Sequence, residues 1–218
     1  MPNWWTLGKA PRIQRSPHDR GVAARPTGLN LQPAFTFQLI LPYIGASMPA
    51  ASPDDLFAYL DRLGIAHQTV WHEPVFTVEQ ARVQRDRDRL VGGFTKNLFL
   101  RDKKGTLFLV VAPEDARIEL RSLHRLLGAS GRFSFAAPEA MREILGVEPG
   151  SATPFAAMND KTGRVTIVLD AAMMRHPVLN FHPLANTGTT TIAREDLVRF
   201  LEATGHPPRL EAVSNPAP

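Results

Sequence analysis

The 218-residue sequence contains no cysteine. Disulfide bonds, thiolate catalysis, zinc–thiolate sites and iron–sulfur clusters are therefore excluded. The histidines do not indicate a metal site either. His67 and His72 are five residues apart and His176 and His182 are six apart, and neither spacing matches a helical pair of metal ligands. We expect neither a metal site nor a cofactor.

Two further absences narrow the class of protein. The sequence has no GxGxxG and no GxxxxGK[ST] motif, so nothing favours a dinucleotide-binding or P-loop fold. The longest apolar run, near Phe35–Ile44, is too short to span a bilayer and is interrupted by Pro42. We expect a cytoplasmic protein without a membrane partner.

Charge and composition divide the chain into three parts. The formal net charge is +4, which mildly favours a polyanionic partner. Residues 1–47 carry five Lys or Arg against one acid and show no sustained apolar period, which predicts a disordered leader or sequence upstream of a natural start at Met48. We predict one domain over 48–205 and a frayed, Pro-rich tail over 206–218.

Within the predicted domain, short helices alternate with strands. Ser52 followed by Pro53 is typical of a capped helix start, and Asp102–Gly105 between two apolar runs predicts a hairpin. The patterns predict helices over 52–64, 77–85, 118–127, 138–145 and 194–204. They predict strands over 67–71, 94–101, 106–112, 132–136, 155–158, 165–169, 178–182 and 189–192. The fold class is a mixed α/β or α+β domain around one sheet or partial barrel.

The stretch Gly146–Asn159 (GVEPGSATPFAAMN) is the strongest chemical signal. A Gly- and Pro-rich turn exposes backbone amides that can hold an anion or a developing oxyanion, although a plain surface turn has the same composition. Ser151 is not a predicted nucleophile, because GSATP is not G-x-S-x-G. Lys96, in an otherwise apolar strand, is either a cleft-facing charge or a snorkelling edge residue. His182 is either a hydrogen-bonding group in the site or a structural turn residue.

Three stretches together, residues 92–105 (GGFTKNLFLRDKKG), 146–160 (GVEPGSATPFAAMND) and 180–192 (NFHPLANTGTTTI), resemble the YbaK/prolyl-tRNA-synthetase-associated editing domain family. The match is closest to its free-standing alanyl-tRNA(Pro) deacylases. The resemblance covers roughly residues 53–202. It implies a mixed sheet curled into a barrel-like core flanked by helices. It also implies hydrolysis of the ester that joins a wrong amino acid to the terminal adenosine of tRNA(Pro), with tRNA and prolyl-tRNA synthetase as partners.

The resemblance assigns roles to particular residues. The family's strand lysine matches Lys96, its GxxxP loop matches Gly150–Pro154, and its HPLxN segment matches His182 and Asn186. The predicted catalytic groups are Lys96 and the loop residues Gly150, Ser151 and Ala152. The predicted substrate-binding residues are Thr153, Pro154, Phe155, His182 and Asn186. Residues predicted to contact tRNA are Arg101, Lys103 and Lys104, which an ordinary solvated hairpin turn explains equally well.

Two alternatives to alanine removal remain at this stage. The same site chemistry serves a deacylase for another misattached residue, such as Cys or Ser. A domain that binds tRNA or a synthetase without catalysis has the same basic surface.

Overall fold

The computed structural model describes residues 49–74 and 78–214. Eight strands form one mixed sheet in the order β1-β7-β6-β2-β3-β5-β8, with β4 attached to β2. The sheet is open, with β1 and β8 at its two ends, so the predicted mixed sheet is confirmed although it is not a closed barrel. The strands are β1 (His67–Trp71), β2 (Gly93–Arg101), β3 (Leu107–Pro113), β4 (Ser134–Phe135), β5 (Val165–Asp170), β6 (Val178–Phe181), β7 (Gly188–Ala193) and β8 (Arg209–Glu211).

Helices flank this sheet. Ser52 begins the first one through a capping box, in which its hydroxyl accepts from the amide of Asp55 and the Asp55 carboxylate accepts from the amide of Ser52. None of the helices in the described residues is long and apolar enough to cross a membrane. The helices are α1 (Pro53–Arg62), α2 (Val78–Asp88), α3 (Leu120–Leu126), α4 (Pro138–Ala140) and α5 (Arg194–Ala203); a π-turn (Met141–Leu145) continues α4, and 3₁₀ turns span Pro154–Asn159 and Met173–Arg175.

Two buried clusters lie on the two faces of the sheet. Because successive side chains of a strand point to opposite faces, Phe99 of β2 belongs to the larger cluster and Leu100 to the smaller one. The larger cluster contains α1, α5 and the 3₁₀ turn at 154–159, with Phe155 and Phe200 fully buried. The smaller cluster contains α3. Burial on both sides makes β2 and its neighbours a rigid base for the loops at their ends.

One side of β2 is only partly paired. β2 pairs with β6 in parallel at Gly93–Phe94 and with β4 antiparallel at Leu100–Arg101. The stretch Thr95–Leu98 therefore has no strand partner on this side among the described residues, and we call this gap the notch. Gly92 makes the close approach of β2 and β6 possible, because a Cβ there would lie 2.6 Å from the carbonyl oxygen of Val178.

Three sequence predictions differ from the structure. Residues 155–158 form a 3₁₀ turn rather than a strand, since Thr153 caps the turn and Pro154 occupies its first position. The C-terminal segment is not simply frayed, because β8 pairs in parallel with β5 and Val213 is buried. The charged run 82–89 lies mostly in α2, which extends to Asp88. The predicted leader and the cap at Thr77 lie outside the described residues.

Candidate active site

A cavity of about 440 Å³ opens at the notch. Side chains or backbone from β2, β4, β6, the loop after α4 and the loop after β6 contribute to its wall. Its apolar part includes Phe99, Ala136, Met141 and Phe181, and its polar part includes Lys96, Gly150, Ala152 and His182. The three stretches singled out in the sequence thus meet at one cavity, although they are far apart along the chain.

Lys96 enters the cavity wall from the face of β2 that carries the smaller cluster. It lies two residues from Leu98 and four from Leu100, which pack on that face. Its ammonium donates a hydrogen bond to the carbonyl of Ala116. Lys96 is partly buried, and it forms no ion pair with any carboxylate in the part of the chain that the structure describes. Since a partly buried cation without a counter-charge is unfavourable, this site favours an anionic or strongly polar ligand.

Two residues of the Gly-rich loop, Gly150 and Ala152, line the cavity. The amide of Ser151 donates to the carbonyl of Glu148 at 2.9 Å, which closes a turn and removes this donor from the predicted set of three. Gly150 has φ +96°, a conformation that favours glycine. The amides of Gly150 and Ala152, both in the cavity wall, donate to no partner within residues 49–74 and 78–214. They are the remaining candidates for an oxyanion hole.

The other predicted loop residues and Asn186 do not line the cavity. Thr153 is fully buried, and its hydroxyl accepts from the amide of Phe155 at 3.4 Å. Pro154 and Phe155 are buried, Phe155 in the larger cluster, and neither lines the cavity. Ser151 and Asn186 line a neighbouring depression. None of these residues lines the cavity.

His182 has a defined tautomer. Its Nδ1 lies 3.0 Å from the carbonyl oxygen of Gly188, and a carbonyl can only accept, so Nδ1 carries the proton. Burial lowers the pKa of His182, the hydrogen bond to Gly188 raises it, and the charge of His72 lowers it; the net pKa is below its ordinary value. The ring is therefore neutral at pH 7. Its Nε2 is left as an acceptor without a partner among the described residues.

Several cavity residues were not predicted from the sequence. Arg85 of α2 pairs with Glu114 at 2.6 Å and stacks over the ring of Phe94 at 4.2 Å, closing one side of the cavity. Asn97 has a buried Oδ1 without a hydrogen-bond partner in the described chain. The adjacent Lys96 was a signal that could have drawn attention to Asn97. Arg85 gave no signal, because it lies in a run of charges typical of a solvated helix.

The predicted tRNA-contacting residues lie outside the cavity. Arg101 ends β2, and Lys103 and Lys104 form the turn that follows it. All three are exposed, and none forms an ion pair in the described part of the chain. Their charge is therefore available to an external partner.

Comparison with known proteins identifies the family of the segment that contains the cavity. The sequence model of the aminoacyl-tRNA editing domain matches residues 72–200, which include all three stretches. The chain belongs to this family. The matched segment thus contains the whole cavity wall described above, whereas β8 follows it.

Two relatives and one solved structure illustrate the membership. The chain is 34% identical over 152 residues to the prolyl-tRNA editing protein ProX of Acetoanaerobium sticklandii, covering 69% of this chain and 91% of the relative. It is 40% identical over 168 residues to prolyl-tRNA synthetase associated domain-containing protein 1 of Bos taurus, covering 75% and 94%. A crystal structure described as a candidate trans-editing enzyme for prolyl-tRNA synthetase has the same fold, with a TM-score of 0.57 and 19% identity over 75% of this chain and 96% of that chain.

Proposed function

We propose that this protein is a trans-editing deacylase that hydrolyses the ester of mischarged tRNA(Pro), with alanine as the amino acid removed. One observation carries the proposal. In a chain of the aminoacyl-tRNA editing domain family, a single cavity combines a neutral imidazole acceptor with a lysine that has no ion pair and two backbone amides that have no partner among the described residues. The names of the two relatives support tRNA(Pro) as the substrate, with prolyl-tRNA synthetase as the source of the mischarged product.

The reaction needs no covalent intermediate on the protein. An aminoacyl ester is already activated, so water adds to the carbonyl carbon and the carbonyl oxygen becomes an oxyanion. Collapse of this intermediate breaks the bond to the ribose oxygen, which takes a proton and leaves as the free hydroxyl of the tRNA. The amides of Gly150 and Ala152 stabilise the oxyanion, and a donor of this kind contributes about 3–4 kcal/mol to the transition state.

Lys96 and His182 position the substrate around this centre. The Lys96 ammonium has donors left after its bond to Ala116, and it holds the terminal phosphate or a polar group of the amino acid. Neutral His182 offers Nε2 to a ribose hydroxyl of the terminal adenosine, and the vicinal hydroxyl assists the attacking water. This assignment uses His182 for orientation and requires no protonated imidazole.

Selection for alanine follows from size. A synthetase site built for proline cannot strongly reject alanine, because each missing methylene is worth about 1–3 kcal/mol. A second, smaller pocket admits alanine and excludes proline. Ala136, Met141 and Phe181 form the apolar wall of the cavity and are the side chains that set its size.

A deacylation panel tests the proposal. Purified protein is mixed with Ala-, Ser-, Cys- and Pro-tRNA(Pro), and the ester is followed against a reaction without protein. We expect rapid loss of Ala-tRNA(Pro) and little loss of Pro-tRNA(Pro). Rapid loss of the Ser or Cys ester alone would overturn the choice of alanine, and decay of every ester at the rate without protein would overturn the deacylase.

A further inference from the structure

Phe135 is an exposed aromatic residue at the rim of the cavity. It belongs to β4, lines the cavity and is 62% exposed. Phe135 is the register partner of Leu100 and therefore projects from the same face of the sheet as Lys96. Lys96 precedes Leu100 by four residues, a rise of about 13 Å along β2. An exposed aromatic ring next to a cavity offers a surface on which a base can stack.

Cations continue from Phe135 along β2, away from the cavity. Arg101 pairs with Ser134, the neighbour of Phe135, and the amide of Lys103 donates to the carbonyl of Ser130 at 3.0 Å. The loop 129–133, which carries exposed Arg132, thus packs against the hairpin turn. The exposed cations of this strip are Lys103, Lys104 and Arg132, and none of them has an ion-pair partner in the described residues. Arg101 projects from the opposite face of the sheet to Phe135 and is not part of the strip.

The single acid within this strip, Asp102, does not reduce the positive charge at its outer surface. Asp102 is 5% exposed, and its carboxylate accepts from the amides of Lys104, Thr106 and Ser130 at 2.9 Å. It holds the turn and the loop together from below. The outward charge of the strip is therefore positive, next to an aromatic ring.

We propose that Phe135 is the stacking platform for a nucleobase of the single-stranded 3′ end of the tRNA. The strip then binds the phosphates that lie farther from the cavity than this base. Stacking on an exposed ring and phosphate contacts along a basic track are how single-stranded nucleic acids are held without reading sequence. The direction is set by the cavity, where the esterified terminal adenosine lies. The inference deepens the proposed function and rests on it for the identity of the strand.

Variants of Phe135 test the platform with two independent readouts. One is kcat and KM on mischarged tRNA(Pro); the other is anisotropy of a labelled single-stranded ACCA ribonucleotide, which needs no catalysis. For Phe135→Ala we expect KM and the oligonucleotide Kd to rise about 5- to 100-fold, with kcat largely kept. Phe135→Trp retains a stacking surface and keeps both values near wild type. Leu210→Ala, on β8 at the end of the sheet and 58% exposed at the native residue, is the matched control and changes neither.

The strip is tested by salt dependence. Each phosphate contact on a single strand contributes about 0.7 to the slope of log K against log salt concentration. The triple variant Lys103→Ala/Lys104→Ala/Arg132→Ala should lower the slope for ACCA by about 2, and exposed Lys161→Ala should leave it unchanged.

The outcomes separate the two proposals. If wild type deacylates tRNA(Pro) but Phe135→Ala has wild-type KM and Kd, the platform is overturned while the deacylase stands. If wild type deacylates no ester, the deacylase fails, and the oligonucleotide arm still decides whether Phe135 stacks a base. Thermal unfolding confirms that each variant is folded, since an exposed ring contributes little to the core.

Discussion

Two histidines, His206, which is buried, and His182, which is partly buried, occupy opposite situations. His206 donates from Nδ1 to the carbonyl of Thr204 at 3.0 Å, and its Nε2 lies 3.1 Å from the carboxylate of Asp160, so both ring nitrogens have partners. His182 has one partner, Gly188, and its other nitrogen is left open in the wall of the cavity. The difference teaches that burial of a histidine does not mark a function. Unused hydrogen-bonding capacity next to a cavity does.

The same contrast extends to the residues around each histidine. Asp160 also accepts from the amide of Val165 at 2.8 Å, and no cavity touches this cluster among the pockets described for the chain. The cavity that His182 lines also contains Lys96, which has no ion-pair partner, and the amides of Gly150 and Ala152, which donate to no partner within the described residues. We therefore expect changes near His206 to act on stability and changes near His182 to act on activity.

The largest expected effect is a loss of stability at His206, whose two ring nitrogens both have partners. Asp160→Ala leaves His206 buried without its partner and removes an acceptor from Val165, and breaking a buried pair of this kind costs about 3–5 kcal/mol. Urea unfolding measures this loss. Glu143→Ala, which breaks the exposed pair with Arg164, should cost less than about 1 kcal/mol. A loss of deacylation in Asp160→Ala while it remains fully folded would break the comparison.

Lys96→Ala should lower activity and leave stability largely unchanged. Among the described residues, it removes the one cation of the cavity wall that has no counter-charge. We expect kcat/KM for Ala-tRNA(Pro) to fall about 10²- to 10³-fold, the effect of losing one electrostatic contact to the transition state. The midpoint of urea unfolding should change little. Lys161→Ala is the control, because Lys161 is exposed and outside the cavity. Wild-type activity in Lys96→Ala would remove this lysine from the mechanism.

Gly150→Ala separates backbone geometry from stability. A side chain at φ +96° is strained, so the turn should shift and displace its amides; we expect kcat to fall about tenfold or more. Gly163→Ala introduces similar strain at φ +64°, with no atom within 4 Å of the added Cβ and away from the cavity. Both variants should lose about 1–2 kcal/mol of stability. Equal activity in the two would show that the Gly150 turn does not place a catalytic donor.

The local elements of the fold were predictable from the sequence. Ser52 and Pro53 mark the start of α1, and Asp102–Gly105 mark the β2–β3 hairpin, because these signals act between near neighbours. The run Phe155–Met158 was assigned wrongly as a strand. Four apolar residues have no period that separates a buried strand from a buried turn, and the cap at Thr153 decided for the turn.

Long-range pairing was beyond the sequence. β8 joins β5 from about forty residues away, and the notch exists only because β6 and β4 meet different parts of β2. Four cavity residues, Lys96, Gly150, Ala152 and His182, could be named from the three stretches, but Arg85 and the hydrogen bonds of each residue could not. The bond from Ser151 to Glu148, which removes one predicted donor, and the bond from His182 to Gly188 depend on the folded loops.

The smallest expected effect is a shift in pH dependence. Protonation of His182 would remove the free acceptor at Nε2, and burial, opposed by the bond to Gly188 and helped by His72, holds its pKa below the ordinary value. Deacylation should therefore persist below pH 6.5 and fall only as the pH drops through this lowered pKa. His72→Gln removes the like charge, so the pKa of His182 should rise and the acid limb of kcat/KM should move to higher pH. If His182 titrates, the acid limb moves in His72→Gln and disappears in His182→Gln. An acid limb that stays in place in the first variant and persists in the second must belong to another group.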